Sequence, residues 1–297
     1  MRRIGIETLP AVLRGEWHGA RSGEKEPSAG PTLLLRTEFG TRKSPLSRDL
    51  MEHWAHSLGP PRGNRRSPSV KRPQAILFDV DSLLITTGGA GARSWRWAFD
   101  ELYGIPADIG EFTESGMTDP VVGRLTFRAV IGREPSAEEL ARVMSHYLMR
   151  LPDEVAQSPG YRVLDGAEEQ LLRLCRDGFL LGITTGAVEA AAHIKLGRAN
   201  LNRFFTFGGY GSDSADRGEL TRKAIARAGQ ILGSPLDPQR VLVVGDTPKD
   251  IAAAHAAHAI GVGVASGHYS EEELRNAGAE YVLGSLEEHL PGTGEAM

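Results

Sequence analysis

The chain predicts an α/β protein: a parallel sheet with helices between its strands and an all-helical segment inserted after the first strand. Three observations lead there. Short β-branched apolar runs alternate with helical patterns from Gln74 onward, as in βαβ units. Two of those runs, Ile76-Leu77-Phe78-Asp79-Val80-Asp81 and Val241-Leu242-Val243-Val244-Gly245-Asp246, end in carboxylates. Buried parallel strands read as near-continuous apolar runs, and open α/β sheets bind ligands outside the strands' carboxyl ends. The stretch 88–160 has helical texture and no strand signal, so it reads as an insertion of about half a domain.

Strands are expected over 75–79, 179–184, 203–207, 241–245, 260–265 and 280–283. Trp95, Ala98, Phe99, Leu102 and Tyr103 recur at helical spacing, as do Leu171, Leu174 and Cys175. Asp165 with Glu168 resembles a capping box opening the second of these helices, and Gly178 closes it. Cys175 lies on the apolar stripe and is expected in the core. Further helices are expected over 219–229 and 250–258. The resulting organisation is an extension over 1–73, a core over 74–87 and 161–290, and a helical cap over 88–160.

Composition narrows the class. The 297 residues are 40% apolar and 24% charged, with a formal net charge of −4. That balance argues against a general nucleic-acid binder, whose footprint is basic. The single cysteine excludes an internal disulfide and a cysteine-based zinc site. No apolar run approaches the ~20 residues that span a bilayer, so no membrane partner is expected. No secretory pattern follows Met1-Arg2-Arg3, and a cytoplasmic enzyme is the expectation. Residues 1–72 carry 14 Lys/Arg against 7 Asp/Glu and are rich in Gly, Pro, Ser and Arg. This predicts a largely disordered basic extension with one short helix near 46–58. Glu7 and Glu16 count against an organelle-targeting peptide; a solvated basic run, a nucleic-acid-binding tail and a true translation start near residue 70 stay open.

Asp79 and Asp81 stand two apart at a strand's end and so point to one face. One can attack as a nucleophile while the other gives and takes protons, although such pairs also occur in turns and calcium loops. Asp246 leaves its strand, and Asp250 follows one helical turn later on the same side. Asp250 would also be stable there simply as an acid at a helix N-terminus. Four carboxylates at one point repel each other unless a hard cation sits among them. In Thr184-Thr185-Gly186, a hydroxyl and free N–H groups at a strand-to-helix turn suit a phosphate oxygen, or an ordinary N-cap.

The order Asp79-x-Asp81, Thr185-Gly186, a basic residue near 217 and Gly245-Asp246-x-x-x-Asp250 resembles the haloacid dehalogenase superfamily over about residues 74–290. Within it, the chain is similar to phosphatase-type hydrolases with a helical cap, such as phosphoglycolate-phosphatase-like proteins. The resemblance implies a Rossmann-like sheet whose first and fourth strands are neighbours. It also implies Asp79 as a nucleophile forming an aspartyl-phosphate, Asp81 as the acid/base, and Thr185 and Gly186 at the phosphoryl group. Mg²⁺ would be held by Asp79, Asp246, Asp250 and the backbone carbonyl of Asp81. The implied substrate is a small phosphorylated metabolite.

The chain departs from that pattern in places. Ser82-Leu83 stands where the family usually has Gly-Thr, so a hydroxyl that helps orient the acid/base aspartate is gone. The family's lysine is replaced, and Arg217 is the expected phosphate-site cation, with Lys223 and Arg222 as runners-up inside the helix. Lys249 is expected to face solvent. Ser115-Gly116-Met117-Thr118-Asp119-Pro120 resembles a cap segment lying near substrate. Arg93, Arg124 and Arg128 are expected as exposed charges, Trp95 and Trp97 as cap packing, and His268 has no assigned role. A phosphosugar mutase and a non-catalytic or regulatory protein on the same fold are the alternatives. A dehalogenase is disfavoured by Asp81 and the Asp246/Asp250 pair.

Overall fold

The computed structural model describes residues 71–294; the expected extension up to residue 70 and its helix near 46–58 lie outside them. The main sheet has six strands in the order β5-β4-β1-β6-β7-β8, and every pairing in it is parallel. These strands are β1 (Ala75–Phe78), β4 (Leu180–Thr185), β5 (Gly208–Tyr210), β6 (Val241–Gly245), β7 (Ile260–Val264) and β8 (Tyr281–Leu283). Every residue of β1 and β6 is buried, as expected for central strands covered on both faces. β1 pairs with β6, the fourth of the six expected strands.

Helices α4 (Ala167–Arg176), α5 (Glu189–Gly197), α6 (Arg217–Leu232), α7 (Pro248–Ala256) and α8 (Glu271–Asn276) alternate with the strands. Between β2 (Ile85–Thr87) and β3 (Tyr161–Val163) the chain is helical: α1 (Ala90–Tyr103), α2 (Asp119–Ile131) and α3 (Ala137–Gln157). β2 and β3 pair antiparallel, so this segment leaves and returns through a two-stranded ribbon that the sequence pattern did not show. A capping box between Ser136 and Glu139 starts α3. Trp95 of α1 stacks on Tyr147 of α3 with ring centroids 4.4 Å apart. Both are buried, and such a pair adds roughly 0.5–1.5 kcal/mol beyond its buried area.

Three expectations need correction. The run 203–207 is not a strand: a 3₁₀ turn spans Leu201–Phe204, and β5 begins only at Gly208. Phe204 and Phe207 are buried, so the apolar signal lies in the turn before the strand. The strand itself offers glycine because a Cβ on Gly209 would collide with the Leu220 carbonyl of α6. The Asp165/Glu168 capping box is absent, since the N-cap of α4 is Gly166 with no side-chain cap. Its φ of 76° suits a tight turn, which the Ala167 N–H closes on the Leu164 carbonyl at 3.1 Å. Cys175 is exposed; α4 buries Gln170, Leu171 and Leu174, leaving Cys175 beyond the edge of the stripe. No helix among the described residues is long and apolar enough to cross a membrane.

Candidate active site

Register brings the motifs together. Phe78 of β1 is opposite Val244 of β6 and Ile183 of β4. Asp79, Asp246 and Thr185 therefore emerge at the same carboxyl edge, from three adjacent strands. The Asp79 N–H donates to the Val244 carbonyl at 2.9 Å. Thr247 then caps α7, and its Oγ1 and backbone N–H donate to Asp250 Oδ2 at 2.7 and 3.0 Å. This capping box turns Asp250 back toward Asp246.

Asp79, Asp246 and Asp250 are buried, each with a carboxylate oxygen within 4.8 Å of the others'. Asp79 Oδ1 and both oxygens of Asp246 are buried with no hydrogen-bond partner. Burial, joined by repulsion from Asp250 and opposed by Arg217, pushes Asp79 up to about 7. Burial, with the charges of Asp79 and Asp250, pushes Asp246 up to about 9. Orphaned buried acceptors are costly, and a hard divalent cation takes oxygen ligands of this kind. The donor set fits such an ion. Arg217, the first residue of α6, makes an ion pair with Asp250 and stands 3.5 Å from Asp79 Oδ1.

Asp81 lies apart from this group. Its Oδ2 accepts a 2.6 Å hydrogen bond from Lys195 Nζ on α5. Burial pulls the Lys195 ammonium down, yet Asp81, Tyr147 and Asp119 together hold it above the ordinary lysine range. Ser82 adopts φ 63°, a left-handed conformation that glycine enters without strain. Leu83 is fully buried in the main core, so its side chain packs and offers Asp81 no hydroxyl.

The segment 114–119 crosses the phosphate-site candidates. A Cβ on Gly186 would approach the Met117 carbonyl to 2.5 Å, and the Asp119 N–H donates to the Gly186 carbonyl at 2.8 Å. Asp119 Oδ2 in turn accepts from the Val188 N–H at 2.8 Å. Arg217 Nη1 donates to the Gly116 carbonyl at 2.9 Å. Lys249 stays partly exposed, and its Nζ also holds Glu114 Oε2 at 2.9 Å and the Ser115 carbonyl at 3.0 Å. Thr185 Oγ1, buried beneath, accepts from the Ala187 N–H at 3.3 Å.

Residues 73–258 match the haloacid dehalogenase-like hydrolase family. The chain belongs to that family. It is 30% identical over 219 residues to a phosphoglycolate phosphatase of Rhodospirillum rubrum, a match covering 70% of this chain and 85% of the relative. A phosphoglycolate phosphatase of Neisseria meningitidis is 26% identical over 226 residues, covering 74% and 93%. Among solved structures, a hydrolase from Pseudomonas syringae superposes with a TM-score of 0.56 at 24% identity, covering 72% of this chain and 94% of the other.

In this haloacid dehalogenase-like phosphatase the runner-up cations fall elsewhere. Lys223 Nζ donates to the Asp213 carbonyl at 2.6 Å, and Arg222 pairs with Glu219 at 2.8 Å. Arg93 pairs with Glu154, and Arg124 and Arg128 with Glu134, all on the exterior. His268 is exposed. Lys195 escaped the motif reading. Its signal was a charge on an apolar helix face, three and four residues after the buried Ala192 and Ala191.

Proposed function

We propose that the protein hydrolyses a small phosphomonoester with Mg²⁺ through an aspartyl-phosphate on Asp79. The observation that carries this reading is the set of unpartnered, buried carboxylate oxygens on Asp79 and Asp246 beside the Arg217 guanidinium. Asp79, Asp246 and Asp250 would hold the cation, with the backbone carbonyl of Asp81. Bound there, Mg²⁺ supplies positive charge that offsets the carboxylates and the phosphoryl oxygens.

An Asp79 oxygen attacks phosphorus, and the P–O bond to the leaving alcohol breaks. The ester oxygen takes the electron pair and a proton from Asp81. Water then attacks the phosphoryl group, giving its proton to Asp81, and Asp79 is released as a carboxylate with inorganic phosphate. The Arg217 fork and the Thr185 and Gly186 turn hold the phosphoryl oxygens; positioning and electrostatics are most of the catalysis in such chemistry. Residues 88–160 serve as a cap over the core 74–87 and 161–290, with the 114–119 segment excluding water. The named relatives place phosphoglycolate first among substrates to try.

The test is phosphate release from p-nitrophenyl phosphate, phosphoglycolate and a wider ester panel with Mg²⁺. Asp79→Asn abolishes release. A wild-type enzyme no more active than this variant on every ester overturns the reading. Conversion of glucose 1-phosphate without loss of phosphate redirects it to a mutase.

A further inference from the structure

We propose that Lys195 is a positioning residue that holds Asp81 in its working orientation, an inference that rests on the phosphatase reading above. The contact is a 2.6 Å hydrogen bond from Nζ to one carboxylate oxygen, Oδ2. Among the described residues Asp81 has no other side-chain hydrogen bond, so Oδ1 is left to exchange a proton with the reacting group. The side chain of Asp81 is 43% exposed, whereas that of Lys195 is 8% exposed. An exposed aspartate needs no ion pair for its own solvation. A buried lysine, by contrast, carries a desolvation cost that evolution of a core has no structural reason to keep.

The lysine is itself anchored. Its carbonyl accepts a 2.8 Å hydrogen bond from the Tyr161 hydroxyl, and Tyr161 belongs to β3, paired opposite Thr87 of β2. The return strand of the ribbon thus ties down the main chain of Lys195 on α5, and the Asp81 carboxylate after β1 is the partner of its ammonium. Next to Asp81 the Ser82 N–H is spent on the Ile85 carbonyl at 2.8 Å, and the Leu83 side chain is buried and apolar. Lys195 supplies from a neighbouring helix the donor that the local sequence lacks.

The readout is leaving-group dependence. Release of p-nitrophenolate needs little proton donation, while release of an alkoxide depends on it. Glycerol 2-phosphate and p-nitrophenyl phosphate therefore separate Asp81's role from general damage. In Lys195→Met, kcat/KM falls about 100-fold on glycerol 2-phosphate and only a few-fold on the aryl ester, the range expected when an acid/base is misplaced by about an ångström. The loss lies in kcat rather than KM, and Lys195→Arg recovers part of it. Adding Lys195→Met to Asp81→Asn causes no further loss on the alkyl ester, because Lys195 acts only through Asp81.

Equal losses on the two esters overturn the proposal, as does a rise in KM with kcat unchanged, which would make Lys195 a substrate contact; either leaves the phosphatase reading standing. A wild-type enzyme inactive on both esters and on the wider panel removes that reading and the proposal with it. Should Lys195→Met fail to fold by circular dichroism, Lys195→Arg decides alone. Its displaced head group is expected to lower the alkyl rate about tenfold selectively, and an unselective loss or no loss overturns the proposal.

Discussion

Arg217 Nη2 stands 3.5 Å from Asp79 Oδ1 while the same guanidinium makes an ion pair with Asp250. One cation thus faces two buried carboxylates of the candidate centre. Arginine suits this better than lysine because its planar fork meets both carboxylates through Nη2 while Nη1 donates to the Gly116 carbonyl.

Removing that fork leaves both carboxylates uncompensated. Arg217→Met is expected to lower kcat by at least about 100-fold and to cost roughly 3–5 kcal/mol of stability, the usual penalty for stripping one partner from a buried pair. Arg217→Lys, which keeps the positive charge without the fork, is expected to fold and keep part of the activity. Urea unfolding together with phosphate-release kinetics checks both; a fully active, stable Arg217→Met contradicts the assignment.

A cation held by Asp79 and Asp246 would compete with protons for the same oxygens. Asp79 and Asp246 have folded-state values raised to about 7 and about 9. A carboxyl raised in the folded state holds its proton where the unfolded chain has lost it. In chelator-treated protein, the stability contributed by these groups is therefore full below about pH 4 and is lost as pH rises through 7 to 9. Added Mg²⁺ replaces the protons, and its stabilisation grows in the same direction. Thermal melts at pH 6 and pH 8.5 check this. The Mg²⁺-induced rise in Tm should be larger at pH 8.5, and a larger rise at pH 6 would show that the ion binds elsewhere.

The Ser82-Leu83 departure separates into two effects. Ser82 is a non-glycine residue at φ 63°, so Ser82→Gly is expected to be neutral to stabilising by up to about 1 kcal/mol, with strain relief offset by unfolded-chain entropy. Leu83 is fully buried, so Leu83→Thr is expected to cost about 2–3 kcal/mol through lost packing and a buried hydroxyl. Denaturant melts of the two variants give the values. A stabilised Leu83→Thr would mean that the pocket retains a polar partner for the hydroxyl.

Legibility in the sequence followed locality. Asp79, Asp246 and Thr185 were readable because each sits at the end of an apolar run, and a parallel sheet aligns such ends whatever lies between them. β5 was misplaced because its glycines are dictated by the approach of α6, while the phenylalanines that look like a strand belong to the turn before it. The β2–β3 ribbon escaped because two three-residue strands far apart in the chain make each other's pattern only when paired. The partners of Lys249 escaped the sequence because Glu114 and Ser115 are more than a hundred residues away.

The sequence by itself determined the α/β class, the helical insertion and the carboxylates that end two central strands, since period, turn residues and strand ends are properties of neighbours in the chain. Tertiary structure decided which cations meet those carboxylates. Arg217 was chosen over Lys223 by the first turn of α6, and Lys195 was brought to Asp81 by the packing of α5 on α3. An ion pair of a buried residue depends on desolvation and on partners distant in the chain, and neither is encoded by local spacing.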